Sequence, residues 1–242
     1  MSSKLTVVTG GGRGIGAAIS RRLAAEGHDV VITYRQDQDA AERIADDVRR
    51  RGRRALTAAV ETTDPRSVAG LFDRVASFGV LTGLVNNAGA AAAVGPLDTN
   101  DLESIRRDLD VNLFGVIACT QLAIGRLRSH GGGAVVNISS VAASLGGPGT
   151  YVHYAAAKAG VEAFTVGLAK ELAAENIRVN AVAPGTVWTD FHADPDRPAK
   201  VAATIPMGRA GRPEEISGAV AWLLSDDASY TTGTTIKVAG GL

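Results

Sequence analysis

Leu5-Thr6-Val7-Val8-Thr9 runs directly into Gly10-Gly11-Gly12-Arg13-Gly14-Ile15-Gly16, and residues 15–26 then take up a helical period. A short apolar run rich in Val suits a strand buried on both faces, and the glycines after it let the chain reverse within a few residues. They also let an anion approach the start of the next helix, where unpaired N–H groups and the helix dipole favour negative charge. Strand, glycine turn and helix in that order predict a pyrophosphate-binding βα unit. The spacing Gly10-x-x-x-Gly14-x-Gly16 is one residue longer than the commoner fingerprint, so the turn carries weight through its flanks.

The alternation continues outward. Val- and Ile-rich runs at residues 5–9, 30–34, 55–59, 84–86, 134–138, 179–183 and 235–238 read as strands, with helical periods at 15–26, 39–51, 67–78, 102–127, 154–174 and 214–224. Continuous apolar strands separated by helices predict an α/β fold, a doubly wound parallel sheet with helices on both faces. A chain of 242 residues fits one such domain, residues 1–242. Asp64-Pro65 reads as a helix cap and first helical residue, and the proline-marked segment 188–207 reads as a flap.

Lys and Arg number 25, as do Asp and Glu, so no net field draws the chain to nucleic acid or a membrane surface, and a small-molecule partner is expected. No run of about 18 apolar residues lacks a charge or breaker, and Met1-Ser2-Ser3-Lys4 does not open a secretory leader; a cytoplasmic location is expected. Cys119, the single cysteine, reads as a buried small hydrophobe. His28, His130 and His192 lack the neighbours a metal site needs, so no metal is expected.

About 20 residues past the glycine turn, a chain that binds NAD usually carries a carboxylate for the ribose hydroxyls. Here the second strand ends at Tyr34 and is followed by Arg35. Arg35 and Arg13 could pair with a 2′-phosphate, which favours NADP(H); ordinary surface charges are the alternative reading. Farther along, Asn137-Ile138-Ser139-Ser140 closes a strand and Tyr154-Ala155-Ala156-Ala157-Lys158 opens a helix, with Tyr154 and Lys158 on one helix face. A free phenol with a pKa near ~10 is a poor base at neutral pH. Lowering it by roughly three units takes about 4 kcal/mol, expected from Lys158 and a nicotinamide cation. Such a tyrosine exchanges a proton with an alcohol while the cofactor moves hydride. Tyr151 lacks a lysine four residues on, and His153, on another helix face, is expected to touch substrate or solvent.

In order, Thr9-Gly10-x-x-x-Gly14-Ile15-Gly16, Asn86-Asn87-Ala88-Gly89, Asn112, Ser140, Tyr154-x-x-x-Lys158 and Pro184-Gly185 resemble the short-chain dehydrogenase/reductase family over essentially the whole chain, nearest to its 3-oxoacyl-carrier-protein reductase-like members. The resemblance implies a Rossmann-type fold and an NADP(H)-dependent oxidoreductase interconverting a ketone, such as a 3-oxoacyl thioester, and a secondary alcohol. It makes Tyr154 the general acid or base, Lys158 its partner and ribose ligand, Ser140 (rather than Ser139) the holder of the reacting oxygen, and Asn112 the anchor of a water relay. The cofactor would meet Gly10, Arg13, Gly14, Ile15, Gly16, Tyr34, Arg35, Asn86, Ala88, Gly89, Tyr154, Lys158, Pro184, Gly185, Val187 and Thr189. The resemblance also implies a homotetramer through the long helices, with Ala155 and Gly160 allowing close approach. A substrate wall is expected from the residues after Ser140, around residues 94–97 and in the flap, and Arg197, Lys200, Arg209 and Arg212 could receive an acyl carrier protein. A sugar or polyol dehydrogenase and a non-catalytic dinucleotide sensor are the alternatives. Val238-Ala239-Gly240-Gly241 and Glu61 depart from the family's usual Val-Asp-Gly-Gly and Asp.

Overall fold

The computed structural model describes residues 4–191 and 194–242, so the readings of the first three residues and of His192 lie outside the described residues. All seven expected strands form: β1 (Lys4–Val8), β2 (His28–Tyr34), β3 (Ala55–Ala59), β4 (Gly83–Asn86), β5 (Gly133–Ile138), β6 (Ile177–Pro184) and β7 (Thr235–Val238). They pair in the order β3-β2-β1-β4-β5-β6-β7, every pair parallel. The winding reverses between β1 and β4, so a crevice opens beyond their carboxyl ends, where such sheets bind ligands.

Alternation along β1 sends Val8 to one face of the sheet and Leu5 and Val7 to the other. The Val8 face is covered by α1 (Gly14–Ala25), α2 (Gln38–Arg50) and α9 (Pro213–Leu224), through Ile19, Ile44 and Val220 among others. Opposite lie α3 (Pro65–Phe78), α5 (Gly115–Ser129) and α7 (Val152–Leu172), contributing Phe72, Leu127 and Leu172. Asp64 caps α3 by accepting from Arg66 N at 2.9 Å, ahead of Pro65. Short α6 (Ala142–Leu145) and α8 (Arg197–Val201) escape the sequence reading because one turn shows no period.

The helix expected over 102–127 is interrupted. α4 (Leu102–Leu109) passes through a π-helical turn, Asp110–Phe114, into α5. Asn112 Nδ2 donates back to Asp108 O at 2.8 Å and outward to Ala90 O at 2.6 Å, so a buried amide sits where the helix widens. The stretch Leu102–Ser129 passes the length and composition of a membrane-crossing helix although charges and glycines interrupt it. Its Cys119, Ala123 and Leu127 instead pack beneath the sheet, as in a core helix.

Beneath the crevice runs a polar ladder. Asn86 Nδ2 donates to Thr120 Oγ1 and to Asn137 Oδ1, both at 2.8 Å, and Asn137 Nδ2 donates to Thr165 Oγ1 at 2.9 Å. These bonds tie β4 and β5 to α5 and α7 in an otherwise apolar layer, where each unmade bond would be costly.

Candidate active site

A cleft of about 950 Å³ follows the carboxyl ends of the strands from Arg35 past the glycine turn to Tyr154 and Phe191. At its centre Gly10 has φ +61°, and a β-carbon on Gly16 would stand 2.2 Å from Gly10 O, so position 16 admits no side chain while the turn keeps this path. Asn87, missed in the sequence, clamps the same turn by donating from Nδ2 to Thr9 O (2.9 Å) and Gly10 O (3.1 Å). Arg13, at the N-cap of α1, gives it no side-chain cap, and its first turn carries no acidic residue. The helix therefore turns uncapped N–H donors toward the cleft. Thr189 packs across the turn, 3.3 Å from where a β-carbon on Gly14 would lie.

Tyr34, Arg13 and Arg35 line the far end. Asp37 lies there too, a carboxylate the sequence reading passed over, but its Oδ1 accepts from Ala40 N at 2.9 Å as the cap of α2. A closely approachable glycine turn, an uncapped helix start and two guanidinium groups fit a dinucleotide with its pyrophosphate at α1.

The expected cofactor residues Gly10, Gly14, Ile15, Gly16, Ala88, Gly89, Lys158, Pro184, Gly185 and Val187 also line the cleft. Asn86 does not: its side chain turns to the ladder beneath the sheet, and its neighbour Asn87 faces the cleft, as strand alternation requires. Asn112 is likewise buried behind the wall, both amide donors spent on Ala90 O and Asp108 O, so the relay expected of it has no side-chain donor there.

Ser140, Tyr154 and Lys158 come together at the other end. Ser139 is engaged elsewhere, donating to Glu162 Oε1 at 2.8 Å, whereas Ser140 lines the cleft with Tyr154 and acts to lower the phenol's pKa. Lys158 Nζ donates to Ile138 O at 2.9 Å and lies 5.6 Å from the centre of the Tyr154 ring. Electrostatics differ from the sequence expectation. Burial pushes the Tyr154 phenol up, against the lowering effect of Ser140, and brings Lys158 down to about 8. Within the protein alone desolvation sets the direction for both groups.

His153, expected to meet substrate or solvent, is buried, with Nε2 3.1 Å from Asp108 Oδ2. Of the stretches expected to wall a substrate, the residues after Ser140 line the cleft through Val141, Ala142 and Leu145, whereas Val94 and Leu97 are exposed and Ala90, Ala91 and Ala92 line it in their place. From the flap, Thr189, Phe191, Arg197, Val201 and Thr204 line the cleft, whereas Trp188, Pro198 and Met207 do not. Phe191 lies 6.1 Å from the Tyr154 ring between centroids, and Arg197 donates to Tyr151 Oη at 3.1 Å. Two of the cations assigned to a carrier protein are already paired, Lys200 with Asp194 (2.7 Å) and Arg209 with Glu215 (2.6 Å). Gly160, expected to admit a second copy, packs against Leu113 of its own chain.

Known proteins agree with this geometry. A family profile described as Enoyl-(Acyl carrier protein) reductase matches residues 10–242. The chain is 42% identical to 3beta-hydroxysteroid dehydrogenase 1 of Eggerthella lenta, covering 100% of this chain and 94% of that one. With 3-oxoacyl-(acyl-carrier-protein) reductase FabG of Staphylococcus aureus the identity is 36%, over 99% and 98%. A short chain dehydrogenase from Burkholderia cenocepacia, solved in complex with NADP, aligns with a TM-score of 0.91 at 36% identity, over 99% of this chain and 98% of that one. The chain belongs to the short-chain dehydrogenase/reductase family, Rossmann-type oxidoreductases that bind a nicotinamide dinucleotide.

The depressed Lys158 has a thermodynamic consequence. Between its folded value of about 8 and the ordinary lysine value of 10.5 the unfolded chain binds more protons at this position, so stability rises with pH in that window, and the full penalty is present below it. Lys158→Met removes the titration. From pH 7 to about 9.5, urea denaturation should show wild type gaining about 2 kcal/mol relative to the variant; a difference independent of pH would contradict the burial effect.

Proposed function

We propose that the chain is an NADP(H)-dependent oxidoreductase that interconverts a ketone and a secondary alcohol, with Tyr154 as general acid or base. The observation that carries this reading is the joining of Ser140, Tyr154 and Lys158 at one end of a cleft whose other end is the glycine turn and helix start. A bound nicotinamide supplies or accepts the hydride. Ser140 and the phenol form a pair of hydroxyls able to hold a carbonyl oxygen, and a phenol pushed up by burial keeps its proton until that oxygen takes it. Lys158, held by Ile138 O, stands beside the ring where positive charge favours the phenolate left behind.

The apolar wall of alanines, with Leu145, Val187 and Phe191, supports a small to medium ketone on a largely apolar body. Relatives named for a 3beta-hydroxysteroid and for a 3-oxoacyl carrier bracket that class; the pairing of Lys200 and Arg209 weighs against a carrier-bound substrate. With NADPH and a panel of cyclic and open-chain ketones, 3-oxoacyl thioesters and sugars, turnover should fall at least about 10²-fold in Tyr154→Phe, with NADPH binding retained. Binding without turnover on any ketone would sink the reading.

Preference for NADP(H) is supported by Tyr34 in place of a carboxylate, by Arg13 and Arg35 at the same end of the cleft, and by the capping role of Asp37. Replacing both arginines with serine should raise KM for NADPH by about tenfold or more while changing that for NADH little; equal effects on both cofactors would refute the assignment.

Self-association through the long helices is part of the same reading. Val152 and Val166 of α7, Phe114 of the π turn and Ile117 of α5 are exposed apolar side chains. Light scattering is expected to give the mass of a tetramer, and a monomer at working concentration would exclude it.

A further inference from the structure

We propose that Asp108, acting through His153 and the backbone of Ala92 and Ala93, is a positioning residue for the reaction, locking the substrate wall to the turn of helix that carries Tyr154. The proposal rests on the ketone–alcohol reading above. Residues 90–93 are four consecutive alanines, which have no long or polar side chain to anchor them. They are held from outside: Ala92 N donates to Oδ1 (2.9 Å) and Oδ2 (3.0 Å) of Asp108, and Ala93 N donates to Oδ2 at 3.0 Å. One helical turn on, Asn112 grips Ala90 on the same helical face.

On its other side Asp108 meets His153, the residue before Tyr154. α7 begins at Val152 with no side-chain cap from Tyr151, so this pair anchors a helix start that lacks one. A carboxylate only accepts, so Nε2 of His153 carries the shared hydrogen, and Nδ1 is buried without a partner. A fully buried carboxylate is costly, and nothing in the sheet requires one here. What it does provide is a fixed spacing between the wall and the phenol. Its charge also faces Tyr154, acting with Tyr151 to raise the phenol while Ser140 lowers it and Lys158 lies against the ring.

Asp108→Asn removes the charge and keeps part of the shape, because an amide oxygen in the place of Oδ2 can still accept from Ala93 N and His153, while the amide nitrogen in the place of Oδ1 cannot accept from Ala92 N. This variant is expected to fold, to bind NADPH as wild type does, and to shift the Tyr154-dependent limb of the kcat profile to lower pH. Asp108→Ala should cut kcat with the ketone at least tenfold with little change in NADPH affinity. His153→Gln, which can still donate to Asp108, should keep most of the activity that His153→Leu loses. Amide exchange at Ala92 and Ala93, which needs no substrate, should be at least tenfold faster in Asp108→Ala than in wild type. Unchanged exchange in that variant overturns the proposal whatever the turnover. Normal kcat and pH profile in both Asp108 variants, where Tyr154→Phe is inactive, also overturns it and leaves the ketone–alcohol reading standing. If Tyr154→Phe is as active as wild type, that reading fails instead.

Discussion

Between β1 and α1 the carbonyl oxygen of Gly10 occupies the space in which a side chain at position 16 would begin. That close approach brings the first helix back across the carboxyl end of the first strand, with its uncapped N–H groups at the reversal point of the sheet. The crevice lies there because the strands are wound outward from β1 and β4, and the helix start lies there because no β-carbon keeps it away. Much of the cleft is arranged around this contact: Asn87 clamps the turn from β4, and Thr189 closes on it from the far side.

Beneath that surface the protein uses buried polar groups sparingly and connects them. Asn86, Thr120, Asn137 and Thr165 bond in series across two strands and two helices, so the carboxyl ends of β4 and β5 are fixed relative to the helix that carries Tyr154 and Lys158. Hydrocarbon in those places would fill the volume without fixing the geometry, whereas a chain of directional bonds at 2.8–2.9 Å does both. The Asp108 carboxylate is a second device of this kind, placed where a run of alanines has nothing of its own to hold it.

Desolvation sets the balance at the reacting end. Tyr154 and Lys158 are both buried, and each is pushed toward its neutral form, the phenol upward and the ammonium downward to about 8. A site so arranged presents a proton on the phenol and a lysine ready to change charge within reach of neutral pH, so small added charges nearby have large effects.

Seven strands and six helical segments were legible along the chain, because buried parallel strands are continuous apolar runs and long helices repeat at 3.6 residues. The glycine turn and the Tyr154 and Lys158 pair were legible too, since spacing along one helix face survives folding unchanged, while Ser140 rather than Ser139 came from the family resemblance. Tertiary structure alone decided which of two adjacent asparagines faces the cleft, that helix 102–127 opens into a π turn at Asn112, and that His153 meets Asp108 rather than solvent. It also decided the sign of the tyrosine's shift. Each of these depends on what lies across the fold from a residue, at separations such as the 45 positions between Asp108 and His153, and local pattern carries no record of that.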